Sequence, residues 1–142
     1  MNLEWGPSTP LEDESLIDKF EQAVGYRFPA DCRQCIRDHG GAWVQPDGFD
    51  TQENKGYGIN RILSAVPDHE AGSIWDLMEL DAETAEVLRG YIPFADTPFG
   101  DFLCLDRKDN SVVYIDHETM EVEHAAPSFQ AFLDGLHEDE DE

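Results

Sequence analysis

At 142 residues the chain is long enough to bury the core of one domain, and its 40% hydrophobic content, with 8 Phe, 3 Trp and 4 Tyr, fits a globular body. Asp and Glu number 32 against 9 Lys and Arg, a formal net charge of -23, so the surface repels nucleic acid and anionic membranes and attracts cationic proteins. The 3 cysteines, the lack of any apolar run of about 18 residues and a start, MNLEWGPSTP, unlike an export signal argue against a disulfide framework, a membrane span and secretion, and make a reducing cytoplasm the expected compartment.

The first predicted helix begins at Thr9-Pro10-Leu11-Glu12, where Thr9 can cap, Pro10 suits the first helical position and Glu12 can close a capping box. Leu16, Ile17, Phe20 and Val24 then form one apolar stripe, and Gly25 ends the helix. A second helix is expected over Ala30 to His39, with Gly40 and Gly41 turning the chain out of it through positive φ. Ala42-Trp43-Val44 reads as a first strand. Asp47 to Gly58 reads as a loop, Ile59 to Leu63 as a strand and Pro67 to Gly72 as a further loop. Ser73 to Tyr91 is helix-prone, with a break near Leu80-Asp81.

From Tyr91 the period changes to two. Tyr91 to Ala95, Phe102 to Asp106, Val112 to Asp116 and Met120 to Ala125 are short strands, with Gly100 opening the second. Arg107 to Ser111 and His117 to Thr119 are their hairpin connections. In the last strand Met120, Val122 and His124 alternate with Glu121, Glu123 and Ala125, the pattern of a half-buried antiparallel strand. Ser128 caps a closing helix whose Phe129, Phe132, Leu133 and Leu136 dock on the body, with Gly135 inside it at a cost of about 1 kcal/mol. The expected fold class is α+β: two N-terminal helices, a mixed, mainly antiparallel sheet ending in a meander, and a C-terminal helix. Residues 1–10 are expected to be an N-terminal extension, 11–137 the single domain and 138–142 an acidic tail.

The stretch from Leu16 to Gly41, with Phe20-Glu21, Gly25, Phe28-Pro29-Ala30-Asp31 and the closing Gly40-Gly41, resembles the N-terminal pattern of the SUKH superfamily, which takes in fungal cell-wall-synthesis regulators and bacterial toxin-immunity proteins. Ile92 to Ala95 with Gly100 to Asp106 resembles that family's central strand pair. Val113 to Glu118 resembles its next strand and turn, and Ala126 to Leu133 its closing helix. The chain departs from the pattern at Cys32, where the family usually has an aromatic residue, at Cys35, where it has an apolar one, and at His39, where Asn is common. The loop Asp96-Thr97-Pro98-Phe99 also carries less glycine than the family's.

Several constellations invite chemistry. Cys32, Cys35 and His39 fall at i, i+3 and i+7 of one helix, a spacing open to metal ligation or to a redox pair. A structural zinc site needs four ligands, however, and the resemblance places both cysteines in the core. Asp-His-Glu occurs at 68–70 and again at 116–118, either as metal-binding imidazole and carboxylates or as solvated turns. Cys104 with His117 or His124 is a conceivable nucleophile and base if the two come within hydrogen-bond reach. No metal, cofactor or catalytic residue is expected.

The function the resemblance implies is a non-catalytic immunity protein, which binds and neutralises a cognate toxin domain and is itself a monomer or weak dimer. The charge adds that the toxin is basic, as nuclease toxins are. A regulatory interaction module of the same fold, or a metal- or thiol-dependent enzyme, would be the alternatives, and the acidity equally suits solubility or a saline habitat. From Pro67 to Glu86 there are seven acids and no Lys or Arg. Asp68, Glu70, Asp76 and Glu79, around Trp75, together with Asp96 and Asp101, are the candidate partner-binding residues. Trp75 itself has the neighbours of a core residue.

Overall fold

The computed structural model describes residues 3–8, 11–66, 73–75, 86 and 90–138. Helix α1 spans Ser15–Val24 and buries Ile17 and Phe20 completely, while Leu16 and Val24 pack against the same core. It starts later than the capping signals of Thr9-Pro10-Leu11-Glu12 suggest. The Leu11 N–H donates to the Arg37 carbonyl (2.8 Å), which fixes residue 11 against the second helix, and the Asp13 carboxylate accepts from the Ser15 N–H (3.0 Å). Glu12 therefore lies before the helix and closes no capping box; Thr9 and Pro10 lie outside the described residues. Helix α2, Ala30–His39, has the expected bounds, and Cys32, Cys35 and Ile36 form its buried face.

A carboxylate joins the two helices. Glu21, on α1, accepts from the Phe28 N–H (2.8 Å) just ahead of α2 and from Arg33 Nη1 (2.8 Å) within it, while Arg33 Nη2 reaches Asp18 (2.8 Å). Pro29 then opens α2 at φ -55, the value its ring prefers. At the far end Gly41 has φ 86, but Gly40 has φ -57, so only one of the two supplies a left-handed turn. Gly40 is required by proximity instead: a Cβ there would lie 2.8 Å from the Ile36 carbonyl oxygen and 3.0 Å from Ser64 Cα.

Short pairings tie the ends of the chain to this frame. Strand β1, Glu4–Trp5, pairs antiparallel with β2, Val44–Gln45, and the Trp5 indole stacks on His39 with centroids 4.0 Å apart. The segment expected as an extension is thus part of the packed body from residue 4. Strands β3, Gly48–Phe49, and β4, Tyr57–Gly58, form a hairpin where only a loop was expected. Its reason is aromatic: Phe49 is 2% exposed and meets the rings of Tyr57, Tyr114 and Phe132. Gly48 also exchanges two backbone hydrogen bonds with His137 (both 2.9 Å), closing the C-terminal end onto the body.

The main sheet is a five-stranded antiparallel meander in chain order: β5 Arg61–Ile62, β6 Tyr91–Asp96, β7 Phe102–Asp106, β8 Val112–Ile115 and β9 Val122–Ala126. Pro93 is tolerated inside β6 because the ladder to β7 shifts register between Pro93 and Ala95. Alternation divides the central strands: Leu103, Leu105, Val112 and Tyr114 join the large core shared with the helices, whereas Cys104, Val113 and Ile115 form a smaller cluster with Phe102 and Met120. The last strand is less regular than its sequence. Met120, at φ 60, belongs to the turn, and Val122 is 39% exposed because β9 is the edge of the sheet.

The hairpin loop after β7 reaches back to α1: the Arg107 guanidinium donates to the Val24 carbonyl, placing a cation at the helix C-terminus, and Tyr26 Oη donates to Asn110 (2.6 Å). Helix α3, Phe129–Asp134, is capped by Ser128 Oγ, which accepts from the Ala131 N–H (3.1 Å), and buries Phe129 and Phe132 edge-on to Phe94. Gly135 is its C-terminal cap rather than an interior residue, so it imposes no helix-propensity cost. The helix expected over 73–91 lies outside the described residues, apart from 73–75, 86, 90 and 91; there, Ile74 is fully buried and residue 91 starts β6.

Removing the Glu21 carboxylate leaves the Phe28 N–H and Arg33 without their acceptor. Glu21→Ala is expected to lower unfolding free energy by about 2 kcal/mol, and Glu21→Gln by less. Urea denaturation of the three proteins checks this, and equal stability would remove Glu21 from its joining role.

Candidate functional site

The cysteine constellation is structural. Cys32 is fully buried and Cys35 is 6% exposed, and burial holds both thiols in the protonated form, that of Cys35 pushed up to about 12. A redox thiol needs an accessible thiolate, and a structural zinc site needs four ligands where this helix offers two cysteines and one histidine. His39 faces Trp5 instead, and burial lowers the pKa of its imidazole. Cys104 is fully buried, with its thiol also shifted upward by burial. The sheet register sets Val113 between Cys104 and His124, so these two are not strand neighbours.

Of the acidic candidates, Asp68, Glu70, Asp76 and Glu79 lie outside the described residues, as does the Asp-His-Glu of 68–70. Trp75 packs edge-on to Phe20 at 5.4 Å and donates Nε1–H to the Ala65 carbonyl (2.9 Å), which makes it part of the core wall. Asp96 ends β6, where it accepts from the Arg61 N–H (3.2 Å) and Asn60 Nδ2 (3.3 Å), and burial raises its carboxyl pKa. Asp101 is 4% exposed and turns inward. What it presents to the outside is the pair of turns it holds.

Those turns are densely hydrogen-bonded. Residues 97–101 connect β6 to β7, and residues 116–121 connect β8 to β9. The register Phe102↔Ile115 brings them side by side at one end of the sheet. In the first turn Thr97 Oγ1 accepts from the Asp101 N–H (3.1 Å), the Thr97 carbonyl accepts from the Gly100 N–H (3.1 Å), and Gly100 adopts φ 87. In the second, Asp116 Oδ1 accepts from the N–H groups of Glu118 (2.7 Å) and Thr119 (3.1 Å).

Asp101 locks one turn to the other. Its carboxylate accepts from Tyr114 Oη, from the His117 N–H (3.0 Å) and from His117 Nδ1 (2.6 Å). An ionised carboxylate can only accept, so Nδ1 carries the proton. Burial alone would raise the Asp101 pKa, but the bonds from Tyr114 and His117 outweigh it and hold the carboxyl below its ordinary value. The hydrogen bond to Asp101 raises the pKa of His117 in turn. Behind them Tyr114 stacks on Tyr57 (4.2 Å), and Tyr57 Oη donates to Glu123 (3.1 Å). Glu123 also accepts from Thr51 Oγ1 (2.6 Å) and Asn54 Nδ2 (3.0 Å).

Possible donor atoms of Asp101, Asp116 and His117 lie within 4.8 Å of one another, a grouping that resembles a metal site. The chemistry of the set weighs against ligation. His117 Nδ1 and both Asp101 oxygens already make protein hydrogen bonds, and Asp116 is engaged by its own turn. The arrangement is suited to rigidity. The sequence contained its parts, Gly100-Asp101 and Val113 to Glu118, but not their junction. It also carried no signal for Phe99, which stands 78% exposed at the tip of the first turn. A separate cleft of about 520 Å3 is lined by Leu11, Glu12, Asp13 and Leu16 ahead of and in α1, by Arg37 of α2 and by Val66 among others.

A family model described as SMI1 / KNR4 family (SUKH-1) matches residues 12–135. No curated protein matches the chain.

Two measurements check this geometry. The three cysteines are expected to be unreactive toward an aromatic disulfide in the folded protein and to react fully in denaturant; one fast thiol in the native state would restore the redox reading. The Asp101–His117 pair has a defined pH window. The raised His117 pKa contributes stability that is full below the unfolded value of 6.5 and is lost as pH rises through the folded value. The lowered Asp101 pKa contributes stability that is present above 3.8 and is lost as pH falls through its folded value. The melting temperature of the wild type is therefore expected to exceed that of His117→Gln most between pH 3.8 and 6.5, with the difference shrinking at higher pH. A difference independent of pH would show that His117 is uncharged.

Proposed function

The chain belongs to the SMI1/KNR4 (SUKH-1) family, and from that premise we propose that it is an immunity protein: a non-catalytic cytoplasmic binder that neutralises a cognate toxin domain of basic, nuclease-type chemistry. The family includes toxin-immunity proteins among its members. The observation that carries the reading for this chain is its net charge of -23 together with the placement of its cations. Arg33 and Arg37 pair with acids of their own helical layer, and Arg61 and Arg107 donate to the carbonyls of Gly41 and Val24. Four of the 9 basic side chains thus make contacts within the molecule, and against 32 acids the exposed Lys19, Arg27, Lys55 and Lys108 leave the field strongly negative.

A nuclease domain must present a cationic groove to a polyanion. An acidic protein that occupies the groove competes directly with that substrate and is drawn to it over a Debye length, about 8 Å at physiological salt. Inhibition then needs no catalytic group in the inhibitor. The buried thiols and the Asp101 carboxylate, held by Tyr114 and His117, fit such a role better than a thiol or metal enzyme.

Co-expression with the product of the adjacent gene, followed by stopped-flow binding, tests the reading. The association rate is expected to fall about tenfold or more between low and high salt. Failure to bind that product at low salt would end the immunity reading; binding indifferent to salt would end its electrostatic part.

A further inference from the structure

We infer that the paired turns at the end of the meander are the docking surface of this protein, with Phe99 as its anchor and the acids beside it meeting Lys and Arg of a basic partner. The inference rests on the immunity reading and specifies the surface and chemistry through which it would work. A single exposed aromatic is ordinary on any protein surface. Three observations set Phe99 apart.

The first is its mount. Phe99 lies between Pro98 and Gly100 in a turn closed by the Thr97 and Asp101 bonds, and that turn is bolted through Asp101 to Tyr114 and His117. On a backbone already held by these bonds, binding has only the Phe99 ring left to order, and it is 78% exposed and available to a pocket, which suits an anchor. The second is the turn next to it. That turn, joined to the first through Asp101 and His117, carries Asp116, Glu118 and Glu121, with the Glu118 side chain 80% exposed, and leads into the edge-strand residue Val122, which is 39% exposed. The third is the absence of cations in the sequence here: residues 90–106 and 109–142 contain no Lys or Arg. Arg61, across the register from Asp96, directs Nη1 to the Gly41 carbonyl.

An apolar centre within an acidic rim matches a partner that offers an apolar pocket bordered by cations, which is the form of a nucleic-acid groove with a base-stacking site. A second copy of this chain is disfavoured as the occupant, because two tips of the same sign would face one another.

The test uses the full chain and, as the toxin domain, the product of the adjacent gene, with poly-lysine as a generic polycation. Phe99→Ala is expected to raise the Kd for the toxin domain about 30-fold, about 2 kcal/mol, mostly through faster dissociation, and to leave poly-lysine binding unchanged. Glu118→Lys is expected to slow association about fivefold or more, whereas Glu12→Lys, the same change of charge ahead of α1, slows it less than about twofold. Thermal melts establish that each variant is folded. If the wild type binds the toxin domain and Phe99→Ala binds it equally well, the surface is wrong while the immunity reading stands. Equal effects of Glu118→Lys and Glu12→Lys would show that only total charge matters and would also overturn the surface. Self-association abolished by Phe99→Ala would assign the tip to a second copy and overturn the inference. No binding by the wild type would remove both.

Discussion

Asp101 carries a negative charge into a position 4% exposed, where an unpaired carboxylate would be destabilising by several kcal/mol. The turns on either side are arranged so that it is never unpaired. Tyr114 Oη, the His117 N–H and the His117 imidazole all converge on its two oxygens. Because those donors come from β8 and from the turn after it, satisfying one charge fixes two connections of the sheet at once. Tyr114 then transmits the constraint inward, through its stack on Tyr57 and the ring of Phe49, to the hairpin of β3 and β4.

The same physical solution recurs. With 32 acids and only 9 Lys and Arg, most carboxylates have no cation to pair with. The partly buried ones are met largely by neutral donors: Glu123 by Thr51, Asn54 and Tyr57, Asp96 by Asn60 and the Arg61 backbone, and Glu21 by the Phe28 N–H in addition to Arg33. Several of the few cations serve the frame, Arg107 at the end of α1 and Arg33 between α1 and α2.

Most of the framework was legible in the residues. The stripe of Leu16, Ile17, Phe20 and Val24, the bounds of α2 and β7, and the Ser128 cap follow from periodicity and local capping chemistry. Legibility failed where a distant contact overruled a local preference. The Leu11–Arg37 bond moved the start of α1, and the stacked Phe49 and Tyr57 drew two strands out of a polar loop. The pairing of β1 with β2, across both N-terminal helices, was hidden because two-residue strands have no measurable period. Gly40 was read as a turn residue because sequence shows a missing side chain, whereas its role is the close passage of the Ser64 backbone.

By itself the sequence determined the helices α2 and α3, the strands of the meander, the family pattern and the charge of -23, because each depends on composition or on neighbours within a few residues. Tertiary structure alone decided what the acids do. Asp101 and Asp116 look alike in a string of residues, yet one is a buried pin between two turns and the other caps a turn at the surface. It also decided that Phe99, unremarked among 8 phenylalanines, stands outside the core. The reason is that a side chain's exposure is set by which strands lie beside it. That neighbourhood exists only once residues 97–101 and 116–121 have been brought together by the pairing of β7 with β8.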